Sequence, residues 1–232
     1  MRIRLIVTAV LSILVLAVFV GLGNWQLDRL AWKEAVLAQI EAQISAPPVP
    51  LPEDPDPIRD KYLPVIVRGN VNPEELHVLV SSRDYGAGFR IIQPFTLAKT
   101  GQRIMIDRGF VPVGDKLKLR SGGDMTVTGN LHWPDERDDY TPANDAAKNY
   151  WYAREVEVLA EALDTDPILV VAASSTDPDI LPMRVTTEGI PNDHLEYAMT
   201  WFLMAATWVM MTGFALWRMK RRTRDTRTPR NN

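Results

Sequence analysis

The sequence predicts an α+β fold in which two transmembrane helices flank a strand-rich extracytoplasmic domain. Two observations indicate the helices: no charged side chain occurs from Leu5 to Leu27 or from Tyr197 to Trp217. These runs hold 23 and 21 residues, enough to cross a hydrocarbon core of about 30 Å at about 1.5 Å per residue. A third observation indicates the domain, because apolar and polar residues between the runs alternate with the period of two that is typical of strands.

Changes in charge, proline content and hydrophobic period divide the chain into seven segments. The first span is rich in Leu, Ile, Val and Phe, whereas the second has more Met, Trp, Ala and Thr. We therefore expect the second span to pack against the first or against a partner. The segments are a cytoplasmic N-terminus (1–4), a first transmembrane helix (5–27), a juxtamembrane amphipathic helix (28–46), a proline-rich linker (47–60), the extracytoplasmic α+β domain (61–190), an interfacial start with the second transmembrane helix (191–217) and a basic cytoplasmic tail (218–232).

The distribution of charge predicts the orientation. The two ends, 1–4 and 218–232, hold nine basic residues and one acidic residue, a net charge of +8, and the rest of the chain carries −11. Basic flanks stay in the cytoplasm while long loops cross regardless of their charge. We therefore expect a bacterial inner-membrane protein with both termini in the cytoplasm and its central domain in the periplasm. The basic tail then predicts contact with membrane lipid and no nucleic-acid partner.

The start of the chain also allows a cleaved signal peptide, but that alternative fits less well. The apolar run is longer than the usual 7–15 residues, and no A-x-A-like cleavage site follows it. The helix is instead expected to continue beyond the membrane, since Leu30, Leu37, Ile40 and Ile44 recur at helical spacing.

Six prolines between residues 47 and 57 end that helix and predict a stiff, extended linker. Beyond it, period-two segments predict strands, with a tight hairpin at Thr100-Gly101. A short amphipathic helix is expected at 154–163. The predicted strand segments are 62–71, 76–83, 89–97, 103–113, 125–133 and 167–174.

The domain lacks the sequence patterns of the common catalytic classes. The chain has no cysteine, which excludes thiol chemistry and covalent C-x-x-C-H haem attachment. No G-x-S-x-G elbow surrounds Ser174 or Ser175, and the three histidines are isolated, without metal-ligand spacing. Asp107-Arg108-Gly109 within a predicted strand indicates an ion pair beside a bulge. We therefore expect a protein that is not an enzyme.

His194 lies at the start of the second span, above an aromatic stripe. Positions 194, 201 and 208 drift by only about 20° per step around a helix, and they hold His, Trp and Trp, with Tyr197 alongside. One interpretation is a polar residue at the interface, next to a capping pair formed by Asp193 and Glu196. The other is a neutral imidazole that ligates a planar, membrane-borne cofactor such as haem, with the aromatic rings available to stack on it.

Four stretches of the chain resemble the Surfeit-locus family of cytochrome c oxidase assembly factors. They span nearly the whole chain, in the family's order: GNWQLDRLAWK (23–33), GFRIIQPF (88–95), IDRGFVP (106–112) and NDHLEYAMTWF (192–202). Two positions depart from the family's pattern, since Phe110 stands where tryptophan is common and Glu196 where glutamine is expected.

The resemblance implies an accessory protein that assists the maturation of oxidase subunit I. It implies haem a as cofactor, bound or handed over, with His194 as the ligand of the haem iron and with Tyr197 and Trp201 beside it. Subunit I, and with it haem A synthase, are the implied partners. The alternative from another class is a two-span membrane scaffold or sensor that binds a protein or lipid partner without a cofactor.

Overall fold

The structure consists of two units that differ in secondary structure. The computed structural model of the protein describes residues 2–82 and 85–225. One unit holds the residues up to 38 together with those from 188 onward, and the other holds residues 39–187. The first unit is helical, and the second is built on a seven-stranded mixed sheet. The predicted α+β class, with a strand-rich domain flanked by two helices of membrane-spanning character, is therefore confirmed.

Two long helices account for the first unit. Helix α1 runs over Arg2–Ile44 and helix α3 over His194–Asp225. Both are long and apolar enough to cross a membrane, as judged by length and composition. The predicted juxtamembrane segment continues α1 as far as Ile44 without a break in the helix.

Seven strands form the sheet of the second unit, and each of the six predicted strand segments overlaps one of them, although β4 and β6 begin three and two residues earlier than predicted. The sheet order is β1-β2-β6-β7-β5-β4-β3, with antiparallel pairs except for the parallel pairs β1–β2 and β5–β7. The predicted hairpin is present at Gly101, which has a φ of +72°. The strands are β1 (Val49–Pro50), β2 (Pro64–Val71), β3 (Leu76–Ser82), β4 (Gly86–Leu97), β5 (Arg103–Pro112), β6 (Gly123–Leu131) and β7 (Leu169–Ala172).

The long strand β4 closes part of this sheet into a ring. The first residues of β4 pair with β3, whereas its last three, Phe95 to Leu97, pair along the same edge with Gly69 to Val71 of β2. Strands β2, β6, β7, β5 and β4 are therefore linked in a closed circuit, and among the described strands only β1 and β3, which lie outside it, are edge strands of the sheet. The apolar core within the circuit consists of Val65, Val67, Val71, Phe95, Ile104, Ile106, Val127, Leu131, Ile168, Val170 and Ala172.

The proline-rich segment contributes a strand that the composition did not predict. Val49 and Pro50 pair in parallel with Val65 and Ile66 of β2, so part of the expected linker joins the edge of the sheet. Proline is tolerated there because an edge strand does not need every backbone N–H for pairing.

Helix α2 (Val156–Leu163) covers one face of the sheet. Its buried side chains recur at helical spacing, as the sequence predicts: Val156, Leu159, Ala160 and Leu163. They pack in one cluster with apolar residues of β3, β4, β5 and β7. The last residues of α1, from Gln39 on, belong to the sheet unit, where the Asn130 amide donates a hydrogen bond of 3.0 Å to the Ile44 carbonyl.

Candidate functional site

His194 is the first residue of helix α3, where the sequence places it. The backbone N–H of Tyr197 donates to the carbonyl of Asp193 at 3.1 Å and so closes the first turn. The His194 side chain is half-buried. Its Nδ1 lies 2.8 Å from Oε1 of Gln26, a residue near the end of the apolar run of α1.

The contact with Gln26 determines which nitrogen of the imidazole is free. An amide oxygen can only accept a hydrogen bond, so Nδ1 carries the proton and donates it. In the neutral ring the lone pair then lies on Nε2. Among residues 2–82 and 85–225, none hydrogen-bonds to that nitrogen. The second nitrogen of a metal-bound histidine is held in the same way in most metal sites.

The contact between His194 and Gln26 is the first of three between two stripes with seven-residue spacing. Below it, the ring centroids of Trp201 and Phe19 lie 6.0 Å apart, and Nε1 of Trp208 donates to the Ser12 carbonyl at 3.0 Å. The residue numbers of each pair add to 220, as they must in two antiparallel helices that keep one register. Seven-residue spacing on both helices is the geometry that holds two helices together along a seam.

Small residues allow the two helices to approach along this seam. Ala198 and Ala205 are 1% and 6% exposed. On α1 the small residue is Gly23, where an added Cβ would lie 2.7 Å from the ring of Phe202. The expectation that α3 packs against the first span is therefore confirmed, and the small-residue seam lies on the side that contacts α1.

The three predicted cofactor-binding residues lie in two environments. His194 and Trp201 both contact α1, so the structure brings them together on the helix–helix seam. Tyr197 lies on another side of α3 and is 57% exposed. Trp201 packs one side of its ring against Phe19, so that side is not available to a planar ligand.

Gln26 is the residue of this site that the sequence did not single out. It is an uncharged residue inside the apolar run, and nothing in the local composition distinguishes it from its neighbours. A search for matching seven-residue spacings in both spans would have found it, because Ser12, Phe19 and Gln26 repeat the spacing of the stripe on α3.

A second polar cluster lies inside the sheet unit, around the carboxylate of Asp107. The Asp107 side chain is fully buried and accepts hydrogen bonds from Arg90 Nε at 2.6 Å and from Arg154 Nη1 at 3.1 Å. Arg154 in turn binds Glu136 through its side chain and its backbone N–H. The pairing of β4 with β5 shifts register between Arg90 and Ile92, opposite Asp107. The predicted ion pair beside a bulge is therefore present, but its partners come from distant parts of the chain.

The charges of this cluster are balanced, with two guanidinium groups and two carboxylates. Burial opposes ionisation of the Glu136 carboxyl, but the adjacent Arg154 outweighs it and holds the pKa of Glu136 below its usual value of 4.5. Burial lowers the pKa of Arg90, although Asp107 counteracts this effect. Such a network stabilises one arrangement of strands and loops.

His132 lies near this cluster, and its surroundings favour the neutral form of the imidazole. Burial, reinforced by the charge of Arg154, lowers the pKa of His132 from its ordinary value of 6.5 to about 4. Its ring packs 5.5 Å from that of Tyr62. Within the described part of the chain, no group of three or more His, Cys, Asp or Glu residues is arranged to hold a metal ion.

Ser175, the second of the two serines considered as nucleophiles, is engaged in loop structure. The Ser175 hydroxyl donates to the backbone carbonyl of Asp177 at 2.7 Å. The Asp177 carboxylate accepts from the backbone N–H groups of Ser121 and Asp179. These bonds connect two loops over the sheet and do not form a nucleophile–base pair.

Comparison with known proteins shows the family to which the chain belongs. The model of the SURF1 family matches residues 13–206, which include most of α1, the entire sheet unit and the first part of α3. Surfeit locus protein 1 of Mus musculus is 32% identical over 84% of this chain and 71% of its own length. Surfeit locus protein 1 of Homo sapiens is 31% identical over 81% of this chain and 70% of its own. The protein of that name from Takifugu rubripes is 32% identical over 84% of this chain and 91% of its own. The chain therefore belongs to the SURF1 family.

Proposed function

We propose that this protein is an assembly factor for a haem-copper terminal oxidase and assists the maturation of subunit I by binding haem a or handing it over. The observation that supports the proposal is the hydrogen bond between His194 and Gln26. It fixes the imidazole in the tautomer whose Nε2 can ligate iron, at the end of an apolar helix. No catalytic function is proposed for the sheet unit.

The residues present fit a haem that is cargo. His194 supplies one neutral nitrogen ligand, and the neighbouring helix surfaces are apolar, as a porphyrin requires. Haem a supplies the iron centre of the oxidase that receives it. The chain has no cysteine for a thioether link, so the cargo is held without a covalent bond to sulfur and can be released.

The test compares three variants of the purified full-length protein titrated with haem a. His194→Ala should lose most of the haem absorbance, because it removes the ligand. Gln26→Leu should keep the ligand but weaken binding by about 10- to 100-fold, as the loss of a residue that orients a metal ligand does. Gln39→Leu, an exposed position of the same helix, should bind haem like the parent.

Two results would decide against the proposal. If His194→Ala kept the parent's haem-to-protein ratio and spectrum, the two-span scaffold without a cofactor would be the better hypothesis. If Gln26→Leu and Gln39→Leu bound haem equally well, the hydrogen bond would not orient the ligand, even if His194 itself were required.

The proposed location follows from charge and supports the same function. With ends of +8 and an intervening stretch of −11, we place both termini in the cytoplasm and the sheet unit in the periplasm of a bacterial inner membrane. Oxidase subunit I, and with it haem A synthase, are the proposed partners. Because the chain lacks cysteine, single replacements report the orientation. Ser81→Cys should react with an impermeant maleimide in intact cells, and Thr223→Cys should react only after lysis.

A further inference from the structure

Two leucines of the sheet unit are exposed almost completely on one loop. Leu117 is 88% and Leu119 99% exposed, in the loop of residues 113–122 that connects β5 to β6. Basic residues alternate with them at positions 116, 118 and 120. Single exposed leucines are ordinary on a protein surface. Two leucines separated by a single residue, both almost without protein contact, need an explanation.

The basic residues hold this loop in place. The Arg120 side chain is 2% exposed and binds Glu75 Oε1 at 2.5 Å. Its guanidinium also donates to the carbonyls of Asp115 at 2.8 Å and Lys118 at 3.0 Å. The buried Arg120 side chain therefore holds the backbone of the loop in one conformation, and the two leucines of that loop point outward.

Lys116 fastens the same loop at a second point. Its ammonium group lies 3.6 Å from the ring centroid of Tyr150 and donates to the carbonyl of Lys148 at 2.8 Å. Lys118 differs, since its side chain is 53% exposed although it pairs with Asp115. The exposed middle of the loop, residues 117–119, thus consists of two leucines with one accessible cation between them.

We propose that the 113–122 loop is a membrane-contact element that inserts Leu117 and Leu119 into the lipid surface. A lipid surface fits better than a protein partner because two leucines offer only a small part of the about 800 Å² per partner that a stable protein interface buries. The chain's own apolar helices keep a bilayer at high effective concentration. Leucines that enter the acyl boundary, with a lysine at the level of the headgroups, are the pattern of interfacial anchors.

The test uses the cysteine-free full-length chain in lipid nanodiscs. A polarity-sensitive fluorophore is attached to Leu119→Cys and, as a matched control, to Tyr140→Cys, which is 91% exposed on a different loop. In discs that contain doxyl-labelled lipids, we expect the probe at 119 to show blue-shifted emission and at least threefold stronger quenching than the probe at 140. Circular dichroism of both labelled proteins establishes that the fold is intact.

Either of two outcomes would overturn the proposal. The probe at 119 could be quenched no more than the probe at 140, which would leave the leucines in water. Alternatively, its emission could shift only when a purified oxidase is added and not in lipid alone, which would make the loop a protein-docking element. Neither outcome depends on His194, so the result of this experiment is independent of haem binding.

Discussion

The two units of this protein bury opposite kinds of residues. Between the helices the buried positions are small and apolar, such as Ala198 and Ala205, and the polar contacts between side chains and the neighbouring helix lie at His194 and Trp208. In the sheet unit, by contrast, Asp107 and Arg108 are fully buried, at 0% exposure. The two apolar runs predicted to lie in lipid, residues 5–27 and 197–217, contain no charged side chain, whereas the unit predicted to lie in water holds charges at its centre.

The difference follows from how each solvent drives folding. Lipid offers no hydrophobic force between helices, so close packing of small residues and a few hydrogen bonds must hold them together. Water drives apolar strands into a core, and that core can enclose an ion-pair network whose charges are all matched. The helix pair should therefore be sensitive to shape and the sheet unit to charge.

The largest effect is expected from Asp107→Ala. This change leaves Arg90 and Arg154 beside each other in a buried site without the carboxylate that both contact. Removing one partner of a buried ionic network costs about 3–5 kcal/mol. We expect the free energy of unfolding of the sheet unit to fall by this amount, measured by pulse proteolysis in detergent.

Asp115→Ala is the matched control for that experiment. Asp115 pairs with Lys118 at the surface, where the two side chains are 32% and 53% exposed. An exposed pair contributes about 0–1 kcal/mol. If the free energy of unfolding fell equally in the two variants, the buried network would stabilise this unit no more than a surface ion pair does.

The sequence predicted the strands well because each carries its own signal. Alternation along segments such as 103–113 depends only on which face is buried. The closure of the sheet was not predicted, since it depends on Phe95 to Leu97 meeting Gly69 to Val71, a contact between segments that have no shared local pattern. Strand β1 was missed because its prolines indicate a linker until a neighbouring strand is known.

The candidate site was predicted only in part, because some of its contacts join distant segments that share no local pattern. His194 is conspicuous at the edge of an uncharged run, whereas Gln26 gains its role only from a helix 168 residues away in the sequence. Asp107 and Arg108 are adjacent in sequence and suggest an ion pair. Alternation in a strand sends them to opposite faces, so Asp107 pairs with Arg90 and Arg154 instead.

The second largest effect is expected in the pH dependence of the stability of the sheet unit. With a pKa of about 4 in the fold and 6.5 when unfolded, His132 stays neutral in the folded unit while the unfolded chain takes up a proton. The free energy of unfolding should therefore fall as the pH drops from 6.5 towards 4, by at most about 3.5 kcal/mol at about 1.4 kcal/mol per pKa unit. Below pH 4 this group contributes no further change.

His132→Phe isolates this contribution, because it keeps a ring beside Tyr62 but cannot bind a proton. Urea unfolding of the variant and the parent should be compared at pH 6.5 and pH 5. The parent should lose more stability over this interval than the variant does. Parallel curves for the two proteins would mean that His132 is not held neutral by its surroundings.

The smallest effect tests the sensitivity of the helix pair to shape, at Gly23. A side chain there would meet the ring of Phe202, since an added Cβ lies 2.7 Å from it, whereas Gly21 has no neighbouring atom within 4 Å. Gly23→Val should weaken the association of the two helices by about 1–3 kcal/mol, the usual cost of overpacking. Gly21→Val changes the same helix in the same way without touching α3.

Spin labels at the exposed positions Val18 and Leu203 should report a broader and longer distance distribution for Gly23→Val only. If both variants gave the parent's distribution, the seam would tolerate a change of shape, and the contrast between the two units would not extend to how they respond to mutation.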